Sequence, residues 1–379
     1  MRQYKLLEVN SGYPLFLNNL YKENCKEKSY SELMDIFYNA CYCESNYIEK
    51  YFASELNIES KLVTYNNELA QKRWDDNPDK DLFSIFLRQL KDYNPDVLYV
   101  TDINMFNVSQ LHTIIETGKK GMKLVCYHFS FITSLVKSVL PIYDLCFTGS
   151  FKDQRDIAKY NKNVKVVRHA FESTLIDKIS INKPENKPAF VGSIFIGNSF
   201  HTNRIEALCK LREENIPFDF YGNIYGSFDS RRQKLSNFFK SRELMKKRRE
   251  TVDYLNNMKK PSSFGLAYYN AIASYAMNIN THAPVAKTGC GNQRMFEVTG
   301  VGSCLVTDYK EENSLLFDTD NEIVVYKNND ELAEKLKFLI NNPAECLRIA
   351  KNGQKRTLNN YTYKHKALQI NDYIQELFI

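Results

Sequence analysis

No apolar run in this sequence approaches the roughly 20 residues needed to cross a bilayer, and the first residues, MRQYKLLEVN, lack the apolar core of a secretory leader. A cytoplasmic location is the resulting expectation. No Cys-x-x-Cys occurs among the 9 cysteines, and Cys41 and Cys43 are the only close pair, so neither a zinc site nor a disulfide framework is signalled. Reduced thiols are the simplest account. Internal repeats and low-complexity tracts are also lacking. A net charge of +6 is mild for 379 residues, and no recognition module accompanies it, so nucleic-acid binding is not expected. A single Trp stands against 25 Tyr and 24 Phe, which therefore supply most of the core and sheet aromatics, although sugar-binding surfaces also use aromatic faces.

What is present is an ordinary globular composition, 43% hydrophobic and 25% charged, on a chain too long for one core. Two domains are expected. Strand-like runs recur at Lys5 to Val9, Lys61 to Thr64, Val97 to Thr101, Lys123 to Tyr127, Asp144 to Thr148 and Val164 to Arg168. Helical periodicity fills Ser31 to Leu56 and most intervals after it. Alternation of this kind predicts a parallel sheet with helices on both faces. The polar, proline-bearing stretch Asn182 to Pro188 reads as a linker. It divides an N-terminal Rossmann-like domain, 1–182, from a second such domain, 183–360, which opens on a strand from Ala189 and is followed by a terminal helix, 361–379.

The most informative stretch is Asn278 to Tyr326. An apolar run ending at Ile279 reads as a buried strand, and a loop carrying Gly289 and Gly291 then opens onto a helix from Asn292 to Thr299. Glycines ahead of a helix N-terminus let an anion approach backbone N–H groups closely. Arg294 adds a planar fork suited to phosphate. Glu297, three residues on, shares a helix face with Arg294. A carboxylate there does not favour phosphate, so its natural partner is a hydroxyl pair such as a ribose. The same stretch also reads as an ordinary α/β unit, with Arg294 and Glu297 as a surface ion pair.

The residues Asn292, Arg294, Phe296 and Glu297, followed by Gly302, Leu305, Thr307, Asp308, Phe317, Glu322 and Ile323, resemble the C-terminal half of GT-B glycosyltransferases, especially the CgeB-like (spore-maturation-protein type) group. The resemblance extends from about Phe190 to Tyr361. It implies an α/β fold of two Rossmann-like domains facing a cleft, with a C-terminal helix crossing back to the first domain. It further implies a metal-independent, hexosyltransferase-like enzyme of polysaccharide biosynthesis. No cofactor is implied: a nucleotide-diphosphate sugar is the donor substrate, and a glycan or lipid-linked molecule the acceptor. In enzymes of this kind the acid at the Glu297 position binds the donor ribose. Related retaining enzymes carry a second acid eight residues earlier, where this chain has Gly289, which puts a retaining mechanism in doubt.

Transfer needs a neutralised leaving diphosphate and an activated acceptor hydroxyl. For the first, the candidates are Arg204, Gly289, Gly291, Asn292 and Arg294, with Glu297 on the ribose and Lys287 a further cation. For the second, strand ends of the N-terminal domain offer His128 and Asp102, and Glu8 besides; a histidine so placed also serves as a plain hydrogen-bonding residue. His201 reads as a cap for the Arg204 helix, and His169 and His282 as linker and loop residues. No metal site is expected. Asp318-Thr319-Asp320 matches a three-residue metal-binding signature but reads as turn chemistry. Ser230 to Lys260 contains eleven Lys or Arg interleaved with apolar residues. It reads as a solvated helix face, or as a peripheral contact with the inner face of an anionic membrane. The alternative enzyme class is a dinucleotide-dependent oxidoreductase, from Gly289-x-Gly291 and Asp308, although Arg294 occupies the place of the third glycine.

Overall fold

The computed structural model describes residues 2–21, 25, 27–75, 80–180, 183–196, 201–226, 242–286 and 289–379. Two compact units emerge: Met1–Glu172 with Thr362–Ile379, and Ser173–Tyr361.

In the first unit the strands β1 (Lys5–Asn10), β2 (Glu59–Thr64), β3 (Val97–Val100), β4 (Lys123–Tyr127), β5 (Leu145–Thr148) and β6 (Val164–Val166) form a parallel sheet in the order β2-β1-β3-β4-β5-β6. β3 and β5 are buried at every residue, as a sheet covered on both faces requires. Leu7, Val9, Leu98 and Val100 pack on one face; Leu6, Val97, Tyr99 and Val125 pack on the other. The second face is closed by the helices Tyr47–Leu56 and Tyr363–Gln375. Thr362 caps the latter in a reciprocal arrangement with His365. The C-terminal helix is thus part of the first unit.

The expected helical stretch Ser31 to Leu56 is two helices, Tyr30–Asn39 and Tyr47–Leu56, parted where Cys41 adopts φ 56°. The predicted linker is also partly a strand, because β7 (Glu185–Val191) begins four residues before Ala189. Pro188 fits there: pairing with β9 (Asp219–Tyr221) starts only at Ala189, and the register against β11 (Tyr275–Asn280) shifts beside it, so no ladder needs its missing N–H. The division between the units falls at Glu172, ahead of the linker. Ser180 already hydrogen-bonds Asn270 of the second unit, at 3.2 Å.

The second unit holds a parallel sheet in the order β13-β12-β11-β7-β9, with β12 at Cys304–Asp308 and β13 at Val324–Tyr326. A two-stranded parallel pair, β8 (Ile194–Phe195) with β10 (Ile224–Tyr225), lies beyond β7 and β9 in the chain. Phe190, Leu208, Leu211, Leu332, Leu336 and Leu339 belong to its core, contributed by β7 and by the helices Thr202–Glu213 and Asn329–Asn341. Chain order reverses between β7 and β11, so open-sheet logic puts a ligand crevice over the carboxyl ends of those two strands.

Candidate active site

Two segments lie at that reversal. β7 is followed by Gly192 and Ser193; β11 leads through Gly289 and Gly291 into the helix Gln293–Gly300, for which Asn292 is the N-cap. Gly291 adopts φ 104°, which a side chain would strain. The Asn292 side chain makes no capping hydrogen bond to its own helix. Its amide exchanges hydrogen bonds with Asn280 at the end of β11, 2.9 and 3.2 Å. Asn280 in turn donates to Thr307 at 3.0 Å, which ties the start of the helix to β11 and β12.

Arg204 and Arg294 flank a single turn. Arg204 Nη1 donates to the Ser193 carbonyl at 2.7 Å. A Cβ placed on Gly192 would come within 2.8 Å of Arg294 Nη1, so the absence of a side chain there makes room for the guanidinium. Two cations beside one backbone turn, next to a helix N-terminus, form a suitable place for a diphosphate.

Glu297 sits one turn further along and is only 4% exposed. Tyr268 Oη donates to its Oε2 at 2.6 Å, and Tyr269 Oη reaches Oε1 at 3.5 Å. Burial raises the carboxyl's pKa, opposed by the Tyr268 hydrogen bond and by the charge of Arg294. The surface ion pair that the sequence also allows is not what the structure shows. Tyr268 and Tyr269 escape sequence reasoning because their helix, Gly265–Ala273, is nearly all apolar and small and has no polar stripe to mark it.

Asp308, which closes β12, is committed to its neighbours. It accepts from the His282 backbone at 2.8 Å, contacts His282 Nδ1 at 2.7 Å and pairs with Lys310 at 3.2 Å. Burial would raise its pKa, but His282 and Lys310 hold it down at about 2. His282 is therefore more than a loop residue. His201 does not cap the Arg204 helix: its Nδ1 accepts from the Phe195 N–H at 3.0 Å. Lys287 lies outside the described residues. In the Asp318-Thr319-Asp320 turn, Asp318 accepts from Asn321 at 3.1 Å and Asp320 pairs with Lys335 at 3.1 Å.

In the first unit, the order of strands reverses between β1 and β3, and Asp102 lies just past the end of β3. Its carboxylate is exposed and accepts from the Asn104 backbone and side chain, both at 3.0 Å. His128, just past β4, is 3% exposed, and its Nε2 has no hydrogen-bond partner among the described residues. Burial lowers its pKa, only partly opposed by the charges of Asp153 and Asp102, which favours the neutral ring. Glu8 is buried in β1, and its pKa is pushed up to about 8 by burial, against the attraction of Lys366 and with the repulsion of Glu49 and Glu44.

Of the basic segment, residues 242–260 are described, and Arg242–Met258 form one helix; 230–241 lie outside the described residues. Its charges are largely paired within the unit. Arg248 is buried against Glu206, and Lys247 reaches Glu213 at 3.2 Å and Glu243 at 3.6 Å. Among the described residues, no helix is long and apolar enough to cross a membrane.

Residues 204–372 match the family described as glycosyl transferase-like. Solved structures align over nearly the whole chain. HepE of Anabaena, in complex with UDP-glucose, shares 12% identity over 99% of this chain and 100% of its own, with a TM-score of 0.56. A glycosyltransferase from Rickettsia africae shares 10% over 100% and 99%, at 0.60, and sucrose-phosphate synthase from Thermosynechococcus elongatus 11% over 100% and 99%, at 0.57. The chain has the GT-B fold. No protein of curated function matches it in sequence. The GT-B fold leaves the oxidoreductase alternative without support, and Asp308, which that alternative needs for a ribose, is taken up by His282 and Lys310.

Proposed function

We propose that this GT-B protein is a glycosyltransferase that moves a sugar from a nucleotide-diphosphate donor to a glycan or lipid-linked acceptor. The observation that carries the reading is the convergence of Arg204 and Arg294 on the Gly192–Ser193 turn, at the strand reversal of the unit that holds most of the family match. The donor diphosphate lies against the two guanidiniums and the N-terminal end of the Gln293 helix. Its ribose takes the place of the Tyr268 hydroxyl on Glu297. HepE, a neighbour in fold, binds UDP-glucose, which supports a uridine donor. In the first unit, neutral His128 is the base that takes the acceptor proton, and Asp102 acts on it through charge. Asn292, Arg294, Phe296 and Glu297 favour the CgeB-like group.

Metal-independent transfer is part of the reading, since Asp318 accepts from Asn321 within its own turn and Asp320 pairs with Lys335 of the following helix. The pairing of Lys247 and Arg248 with Glu213 and Glu206 of the helix Thr202–Glu213 supports a solvated basic face over membrane contact. A thermal-shift panel tests the proposal: UDP or GDP should raise the melting temperature and NAD should not. Stabilisation by NAD alone would overturn it.

A further inference from the structure

Glu8 and Glu49 lie in one layer of the first unit, where the helices Tyr47–Leu56 and Tyr363–Gln375 cover the sheet. Glu8 stands on β1 in register with Tyr99 of β3, whose ring belongs to the core beneath those helices, and it is 5% exposed. Glu49 comes from the first of the two helices, and Ser60 of β2 donates to its carbonyl at 3.2 Å. In each carboxyl Oε2 is buried with no hydrogen-bond partner among the described residues. An ionised carboxylate so enclosed is costly, and two that face each other are costlier still. The protonated forms are the ones this layer accommodates. Burial accordingly raises Glu8 to about 8 and Glu49 to about 7.

The surroundings do not remove that cost. Glu8 faces Lys366 of the last helix, but it also faces Glu44 and Glu49, and Tyr38 and Tyr99, whose phenols burial raises further from neutrality. The Lys366 ammonium lies over aromatic rings, 5.2 Å from the centre of Tyr127 and 5.3 Å from that of Tyr363. Burial lowers its pKa against the pull of Glu44, Glu8 and Cys43. Glu49 faces Lys61 and the Leu62 backbone, with Tyr30, Tyr38 and Tyr93 around it. Lys364 pairs with Glu55 at 2.7 Å and ties the two helices to each other. We propose that this layer is a proton-dependent latch: it stays seated while Glu8 and Glu49 hold their protons, and loss of those protons to solvent frees both helices locally, before the sheet unfolds. In an opened layer both carboxyls meet water and return to the ordinary 4.5. Opening therefore releases protons and grows easier as pH rises from 4.5 through 7 and 8. The assignment does not depend on the donor reading.

Hydrogen exchange read by mass spectrometry tests the latch on the full chain at pH 6, 7 and 8, with rates corrected for intrinsic base catalysis. Each acid contributes up to roughly tenfold per pH unit to the opening equilibrium. The helices Tyr47–Leu56 and Tyr363–Gln375 should therefore open at least tenfold more at pH 8 than at pH 6. At pH 8 their opening should also exceed that of Val97–Val100 in β3 at least tenfold, which marks it as local. In the double variant Glu8→Gln, Glu49→Gln, helix opening should stay within twofold over the same range. A carbon-13 titration of the glutamate carboxyls in the wild type needs no variant: two of them should have midpoints above pH 6. The latch is overturned if helix opening does not rise with pH, if the helices and β3 share one opening constant, or if the double variant keeps the rise. Glutamate midpoints that all lie below pH 6 overturn it equally, whether or not the double variant folds.

Discussion

The Tyr268 hydroxyl donates to Glu297 Oε2 across 2.6 Å, inside a site where the carboxylate is 4% exposed. A hydrogen bond to a charged group contributes about 1.5–3 kcal/mol. Tyr268→Phe should therefore lower unfolding stability by roughly that amount in urea titrations. In the proposed donor complex a ribose replaces this hydroxyl, so the same change should leave nucleotide affinity equal or higher. Glu297→Ala should weaken it.

Gly192 and Arg294 are linked by space rather than by a bond. The 2.8 Å approach that a Cβ would make to Nη1 means that Gly192→Ala pushes the flexible guanidinium aside, and φ 155° at this position adds backbone strain. Nucleotide affinity should drop at least fivefold in calorimetry, and the melting temperature should also fall. An unchanged affinity would separate Arg294 from the donor.

Glu8 gives the first unit a pH signature. Its folded pKa of about 8 lies above its ordinary value of 4.5, so the folded state holds a proton that the unfolded chain has released. Stability falls as pH rises from 4.5 through 8, by up to about 1.4 kcal/mol per pH unit for one group. Glu8→Gln should flatten that slope in denaturation curves taken at pH 5, 6.5 and 8. The groups facing it, Lys366, Glu44 and Glu49, stay as they are in that variant.

The Arg242–Met258 helix supplies a further test. Exposed pairs such as Lys247 with Glu213 satisfy its charges within the unit. Replacing Arg242, Lys246 and Lys247 by Gln should leave co-sedimentation with anionic liposomes unchanged. A loss of association would favour the membrane-contact reading.

Much of the fold is legible in local pattern. Lys123–Tyr127 coincides with its predicted strand, and the helix expected from Asn292 starts one residue on, at Gln293, just after the glycines stop. Helix spacing alone puts Arg294 and Glu297 on one face. Contacts made by distant segments leave no local mark. Arg294 meets Gly192 across about a hundred residues, and Glu297 is covered by tyrosines from an apolar helix. The apparent linker misleads for a related reason: Pro184 and Pro188 look like loop residues, but the second lies where the sheet needs no donor.

Calorimetric titration of UDP into the wild type, Arg204→Ala, Arg294→Ala and Arg294→Lys addresses the donor site most directly. Charge-assisted contacts contribute about 1.5–3 kcal/mol each, which corresponds to roughly tenfold or more in affinity. Each alanine variant should bind UDP at least tenfold more weakly, with partial recovery in Arg294→Lys. Affinities within twofold of the wild type in both alanine variants would contradict a diphosphate held between these two arginines.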